Sequence, residues 1–478
     1  MLDWIYDVFT VDMVKTILYY VEIFFVLYLI GYSTFLFSSV IVGGNQLYED
    51  QKKKQLRNEI HHEYYVPISV IIPAYNEEVT IVETIKSLMH LDYKTYEVLV
   101  INDGSKDETG RIVQETFNLH RVMRPIRRQV QCHDAVSVYE GQLKKGISIT
   151  LVNKENGGKA DAINMGINVS RFPYFICMDA DSILQYDSLT NIASPVLETE
   201  DVVAVGSMIR VSNDSVFRDG KLVDMHLPKK LTPAFQTLEY ERSFLASRIL
   251  LDKFNANLII SGAFGLFKKD AVIQVGGYHV GSIGEDMELI MKLHSYYRSN
   301  KLPYSIKYAY EAICWTQAPE RFRDLLKQRK RWHIGLLQSM TSHPMFLKPS
   351  YLYYLLYELL SPVFELGGLF VTLLAAMFGL LNVPYMIMLF LTYALFGSML
   401  TVISFIARNY MSETKVHFGD VIKALLLCIP ENIIIRFILA WTRMAAILFY
   451  RGKKTKWGEI KRYQISYNKE EQSQAAKV

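Results

Sequence analysis

Two carboxylates one residue apart, Asp179 and Asp181, follow directly on the apolar run "YFICM". Oxygen ligands so placed suit a hard divalent cation, Mg2+ or Mn2+, bridging to a diphosphate. Another carboxylate, Asp103, closes "VLVIND" just before Gly104 and Ser105. Asn-Asp-Gly-Ser is turn chemistry in itself, and the same position offers a ligand contact. "PAYNEE" ends an earlier apolar run in the same way and brings Ala74, Asn76 and Glu77 to a comparable place. Lys159 stands in "NGGKADAIN". This is not a P-loop, because Asn153 occupies the first Gly position and Ala160 follows the Lys. A Gly-Gly-Lys stretch can still bring an ammonium to a phosphate. Glu285 and Asp286 precede helically spaced Met287, Ile290, Met291 and Leu293. Acids in a first helical turn complement the helix dipole; one of this pair is also placed to act as a general base.

Further on, "QRKRWHIG" runs from Gln328 to Gly335 within the predicted helix "ERFRDLLKQRKRWHIGLLQSM". Gln328, Arg331 and Trp332 are spaced to share one face. Such a face stacks a sugar ring on an indole or holds a phosphate on a guanidinium. Lys327, Arg329 and Lys330 point elsewhere and read as an anchor at a membrane surface.

These residues need elements to hold them. From about Val66 to Ala318, short runs such as "PISVIIPAY", "YEVLVIND", "ISITLVNKE" and "PYFICMDAD" alternate with helical patterns. That alternation predicts a mostly parallel sheet covered on both faces, with ligands at the carboxyl ends of its strands. The remainder is apolar. Val14 to Val42 is long enough to cross a bilayer, with acidic residues before it and "EDQKKKQLR" after it. The charge rule puts the N-terminus outside and the region after Gln51 in the cytosol. Tyr351–Leu360 reads as interfacial, and Pro362–Leu381 and Tyr385–Ala407 as two spans. Phe418–Tyr450, interrupted by Pro430, Glu431 and Arg436 and followed by a basic tail, reads as a re-entrant pair or an interfacial helix. The expected parts are therefore an N-terminal transmembrane helix (1–50), a cytosolic domain (51–348) and C-terminal interfacial and transmembrane helices with a basic cytosolic tail (349–478). A net charge of only +4 gives no support to a nucleic-acid partner. Four scattered cysteines offer no C-x-x-C and fit a reducing compartment.

In order and spacing, Asp103, the D-x-D of Asp179 and Asp181, the Glu285–Asp286 pair and the Q-x-x-R-W of Gln328, Arg331 and Trp332 resemble the family 2 glycosyltransferases. More narrowly, they resemble the processive membrane-embedded synthases of cellulose, chitin, hyaluronan and poly-β-1,6-N-acetylglucosamine. The resemblance covers about residues 66–345 and the membrane-flanked layout. It implies an α/β GT-A fold, a Rossmann-like mostly parallel sheet, embedded in an α-helical membrane domain. It implies inverting transfer of hexosyl units from UDP-GlcNAc or UDP-Glc to a growing β-linked exopolysaccharide, with export across the plasma membrane. A non-processive enzyme adding one sugar to a lipid acceptor shares every motif. On this resemblance Ala74, Asn76, Glu77, Asp103 and Lys159 border the nucleotide and its phosphates, and Asp179 and Asp181 hold Mg2+ or Mn2+. Asp286 is the catalytic base. Ser261, Gly262, Ala263, Phe264 and Glu285 line the acceptor cleft, while Gln328, Arg331 and Trp332 hold diphosphate and the acceptor end. The implied partners are a UDP-sugar, a glycan or glycolipid acceptor, the lipid bilayer and accessory export or regulatory subunits. Departures are the long stretch Thr109–Lys145 with "RVMRPIRRQ", the "GED" where Thr is frequent, and His333 where Ala is frequent.

Overall fold

The computed structural model describes residues 10–59, 65–218, 221–345, 348–380, 382–407 and 417–450. Most of the acidic flank before the first span and the basic tail after Tyr450 lie outside the described residues.

In chain order the strands are β1 (Ile68–Ala74), β2 (Tyr96–Asp103), β3 (His120–Val122), β4 (Ala135–Gln142), β5 (Ser148–Lys154), β6 (Tyr174–Met178), β7 (Ile183–Leu184), β8 (Val202–Val211), β9 (Val216–Arg218), β10 (Lys221–Asp224), β11 (Phe264–Lys268) and β12 (Ser305–Thr316). Ten form one sheet in the order β3-β4-β5-β2-β1-β6-β11-β8-β12-β7, and β9 and β10 make a separate hairpin. Runs such as "ISVIIPA" and "YEVLVIND" are buried almost throughout, as strands covered on both faces must be. Alternation divides them between two cores. Val70 and Ile72 enter one and Ile71 the other; Val98 and Val100 are likewise separated from Leu99 and Ile101.

The sheet is mixed, which corrects the expectation of a mostly parallel one. The block β5-β2-β1-β6 is parallel, as is β8 with β12. β11 runs antiparallel between β6 and β8, and β3, β4 and β7 pair antiparallel at the edges. The β4–β5 link, Leu143 to Ile147, is too short for the helical crossover a parallel pair needs. The unassigned stretch Thr109–Lys145 is thereby explained. It forms a short helix (Thr109–Thr116) and the β3–β4 edge, with Arg124 bonded to Glu140 at 3.0 Å and to the Val169 carbonyl at 2.7 Å.

The helices that bear on the site are α1 (Val11–Glu59), α2 (Lys159–Val169), α3 (Leu231–Arg242), α4 (Glu285–Ser299), α5 (Phe322–Ser342), α6 (Ser361–Met377), α7 (Val383–Ala407), α8 (Phe418–Pro430) and α9 (Arg436–Leu448). Among the described residues one helix is long and apolar enough to cross a membrane, Val11–Glu49 within α1. A second candidate is the pair Pro349–Leu359 and α6, bent by 49°. The segment expected as a re-entrant pair or an interfacial helix is helical from Phe418 to Leu448. α8 and α9 are joined by a π turn at Glu431–Ile435 with helical backbone on both sides, and the wider turn accommodates Pro430. The charges that seemed to interrupt this run are paired: Glu431 with Arg242 of α3 at 2.9 Å, and Arg436 with Glu365 of α6 at 2.9 Å.

Candidate active site

The parallel block ends on one rim. Register sets Ala74 opposite Asn102 and Asp103 opposite Lys154, and β6 stops one residue before Asp179. Ala74 is buried. Asn76 turns the chain with φ of 55°, and its Oδ1 accepts from Lys106 N at 2.8 Å. Glu77 accepts from the Thr80 hydroxyl at 2.8 Å. The Asn76–Lys106 bond and Glu77 N, which donates to the Thr109 hydroxyl at 2.9 Å, fold the β1 and β2 loops against each other.

Asp103 holds the next loop in shape. Its carboxylate accepts from Gly157 N at 3.0 Å and Gly158 N at 2.7 Å, and meets Lys154 Nζ at 2.5 Å. Gly158 caps α2 with φ of 90°, a conformation that favours glycine. Lys154 is fully buried and also meets Asp161 at 2.6 Å, which in turn meets His133 Nδ1 at 3.1 Å. The sequence reading missed this buried Asp–Lys–Asp array, because Lys154 ends a strand without any motif around it.

Loop and helix together present Lys159. Its ammonium lies 2.5 Å from Asp179 Oδ1, 3.2 Å from the Gly262 carbonyl and 3.8 Å from Glu285 Oε1. Burial opposes the charge, but Asp179 and Glu285 outweigh it and hold the Lys159 proton more firmly than usual. Gly262 N donates to Asp286 Oδ2 at 3.1 Å. Lys159, Asp179, Gly262, Glu285 and Asp286 are therefore brought together from four chain segments. Cys177 lies beneath them, and burial pushes its thiol up to about 12, so it is no nucleophile at neutral pH.

The two acids of α4 differ. Glu285 is buried, and burial pushes its carboxyl up to about 7; Lys159 pulls against this and Asp286 adds to it. Asp286 is only half-buried, so it is the one a substrate can reach. Asp181 is 3% exposed and Asp179 remains partly accessible. Two carboxylates at a strand end, one open to the cleft, are a donor set that fits a hard divalent cation. Ser261 and Gly262 border the cluster. Phe264 does not: it is 0% exposed in the core of the sheet, which removes its side chain from the expected acceptor lining.

α5 carries Gln328, Arg331 and Trp332. Trp332 is 42% exposed, with its ring stacked on Tyr240 at 6.5 Å. Among the described residues, Gln328 Oε1 is buried without a hydrogen-bond partner. Arg329 corrects the anchor reading. It is 8% exposed, makes two 2.7 Å bonds to Glu239, and sets its guanidinium 4.6 Å from the Trp332 ring centre. The spacing of three between Arg329 and Trp332 was the available signal. His333 is buried, and burial lowers it to about 4, so it is neutral. The helix reaches the acid pair through Gly335, which packs on Gly284, and through Gln338, whose Oε1 accepts from Ile283 N at 3.2 Å.

A mixed α/β sheet with carboxylates and a lysine converging at its strand ends, beside apolar helices, defines an α/β domain of the transferase class. The description "Glycosyl transferase family 2" matches residues 69–276, and "Glycosyl transferase family group 2" matches residues 174–403. The chain is 30% identical over 307 residues to a poly-beta-1,6-N-acetyl-D-glucosamine synthase of Staphylococcus epidermidis, a match spanning 63% of each chain. It is 29% identical over 339 residues to the synthase of that name from Staphylococcus aureus (strain COL), covering 69% of this chain and 71% of that one. A solved mannosyltransferase of Pyrobaculum calidifontis, in complex with GDP-Man and Mn2+, aligns with a TM-score of 0.48 and 17% identity over 84% of this chain and 99% of that one. Residues 69–403 therefore carry glycosyl transferase family 2 sequence, similar to the two synthases named above.

Proposed function

We propose that the protein is an inverting, metal-dependent hexosyltransferase that extends a β-linked exopolysaccharide from a UDP-sugar and passes the product across the membrane. One observation carries this reading: Lys159, Asp179 and Asp286 are gathered around Gly262 at the strand ends. The names of the relatives favour UDP-GlcNAc over UDP-Glc.

In a single displacement the acceptor hydroxyl attacks the anomeric carbon while the nucleotide departs. Asp286 takes the hydroxyl proton, and its hydrogen bond from Gly262 N fixes the carboxylate for that task. Lys159 and Arg331 face the charge that accumulates on the leaving diphosphate. Asp179 and Asp181 would hold Mg2+ or Mn2+, whose charge offsets that of the diphosphate. Ala74, Asn76, Glu77 and Asp103 shape the nucleotide end; Asp103 acts by fixing the Gly157–Gly158 turn. Trp332, backed by Arg329 and Tyr240, offers its exposed ring to the acceptor sugar. Ser261, Gly262, Ala263 and Glu285 form the floor beneath it.

The chain would be multi-pass in the plasma membrane with its catalytic domain in the cytosol. α1, the bent pair ending in α6, and α7, which contains no charged residue, would be its crossings. Such helices give a polar chain the protein-lined path it needs through hydrocarbon. Single transfer to a lipid acceptor is the second reading, because it uses the same cleft.

The test is to incubate purified full-length protein in lipid nanodiscs with a panel of UDP-sugars, with and without excess EDTA. UDP release and product mass are then read. Metal-dependent polymer from UDP-GlcNAc is expected. A single-sugar glycolipid would select the second reading, and no UDP release from any donor would refute both.

A further inference from the structure

Far from the cleft, β10 and the start of α8 bring three metal-ligating side chains together. Asp224 ends β10, His226 follows two residues later, and His417 is the residue before α8. One ligand atom from each lies within 4.8 Å of the others. His226 Nε2 is 3.2 Å from Asp224 Oδ2, and His417 Nε2 is 3.2 Å from Asp224 Oδ1. The two imidazoles stack with ring centres 4.2 Å apart. The other nitrogen of His226, Nδ1, is 3.3 Å from Asp420 Oδ2 in the first turn of α8.

We propose that Asp224, His226 and His417 bind a divalent transition ion of the zinc class, with Asp420 as the carboxylate that orients His226, and that the ion fastens the β9–β10 hairpin to α8. Zinc sits about 2.0–2.2 Å from nitrogen and carboxylate oxygen, so ligand atoms on a tetrahedron stand about 3.4 Å apart. The two 3.2 Å separations are to different oxygens of Asp224 and the three ligand atoms lie within 4.8 Å of one another, so side-chain rotation is what brings one oxygen and both nitrogens to that edge. Two imidazoles and a carboxylate are the donors that zinc, cobalt and nickel prefer over Mg2+. A ligating histidine commonly gives its second nitrogen to a carboxylate, which fixes the tautomer and strengthens the ligand. Asp420 holds that position while being largely buried. The carboxylates of Asp224 and Asp420 together balance the double charge of the ion. Both histidines are about half exposed, so an ion has a way in.

The placement gives the ion a task. His226 and His417 are far apart in the chain, and the seam between them continues through Lys423, which donates to the Pro228 carbonyl at 2.7 Å. Below it Leu227, Phe235 and Leu238 pack on Ala424, Leu427 and Cys428. The hairpin leads into α3, which backs Trp332.

The experiment uses tag-free full-length protein, stripped with chelator and titrated with Zn2+. Bound metal is counted by mass spectrometry, and Co2+ absorption is recorded as a report of coordination geometry. One equivalent of Zn2+ and an intense tetrahedral Co2+ spectrum are expected. The His226→Ala/His417→Ala double variant should lose both. Asp420→Asn, which keeps all three ligands, should weaken affinity about 10- to 100-fold. Asp181→Asn should keep the equivalent, separating this ion from one in the cleft. The proposal is overturned if the double variant binds as much Zn2+ as the wild type, if Asp181→Asn alone abolishes binding, or if Asp420→Asn has no effect.

Discussion

Gly284 and Gly335 touch backbone to backbone: a β-carbon on Gly335 would stand 2.8 Å from Gly284 Cα, and one on Gly284 would stand 2.9 Å from Gly335 Cα. The contact locks the start of α4, with its acid pair, to α5. Neither partner is a flexible side chain, so an alanine at either position must push the two elements apart. Overpacking of this kind costs about 1–3 kcal/mol. Gly335→Ala should therefore lower turnover about tenfold or more, while UDP affinity, which the proposed function assigns to the strand-end rim, changes less. Titration calorimetry with UDP beside a UDP-release assay checks this, and a proportional fall in both would contradict it.

Asp286→Asn should reduce transfer by about 10² to 10⁴ with donor binding retained, the usual loss on removing a general base. Asp286, held by Gly262 N and more accessible than Glu285, is the acid that the proposed function assigns to the acceptor. Near-normal turnover would transfer the role to Glu285.

Glu285 makes stability depend on pH. Its folded value of about 7 lies above its ordinary 4.5, because burial favours the neutral form. Its contribution is thus complete below about pH 4.5 and is lost as pH rises through 7. Glu285→Gln imitates the neutral form. The stability of that variant relative to wild type should increase between these limits and level off above pH 7, by about 3 kcal/mol at most. Thermal melts across the range measure it, and a pH-independent difference would refute the coupling.

Trp332→Ala should abolish elongation while UDP still binds, because the proposed function assigns the acceptor sugar to the exposed ring and the nucleotide to the rim. Arg329→Lys tests its support. Lysine cannot make the paired bonds to Glu239 or lie flat on the indole. It should reduce elongation severalfold with UDP affinity unchanged. Activity equal to wild type would return Arg329 to the role of a surface charge.

Lys154→Met should prevent folding or accumulation. It would leave Asp103 and Asp161 buried together without their shared cation, and breaking a buried pair costs about 3–5 kcal/mol. A stable, well-expressed variant would show that the array is dispensable.

Much of this was legible in one dimension. Strand ends, D-x-D, the acid pair and the α5 face are local patterns, and local patterns survive in sequence. Antiparallel β11 was not legible, because "FGLFK" has the same alternation in either direction and only long-range pairing decides it. Phe264 was misread for a related reason: neighbours on a strand point to opposite faces, and a motif does not say which. Glu431 and Arg436 looked like breaks in an apolar run because their partners, Arg242 and Glu365, lie far away in sequence. Lys154 was silent, since a charge satisfied entirely inside the fold leaves no pattern around it.

α3 has one further consequence. Within a single turn Glu239 grips Arg329, Tyr240 backs Trp332, and Arg242 bonds Thr401 of α7 at 2.6 Å and Glu431 at 2.9 Å. The exposed indole and the apolar helices α7 and α8–α9 thus hang from one short rod. A sideways displacement of α7 or of the π turn is delivered to the indole with almost nothing in between to absorb it. On the proposed function, the thickness and lateral pressure of the bilayer would become inputs to the rate of chain extension, entering through α3 rather than through the residues assigned to the nucleotide.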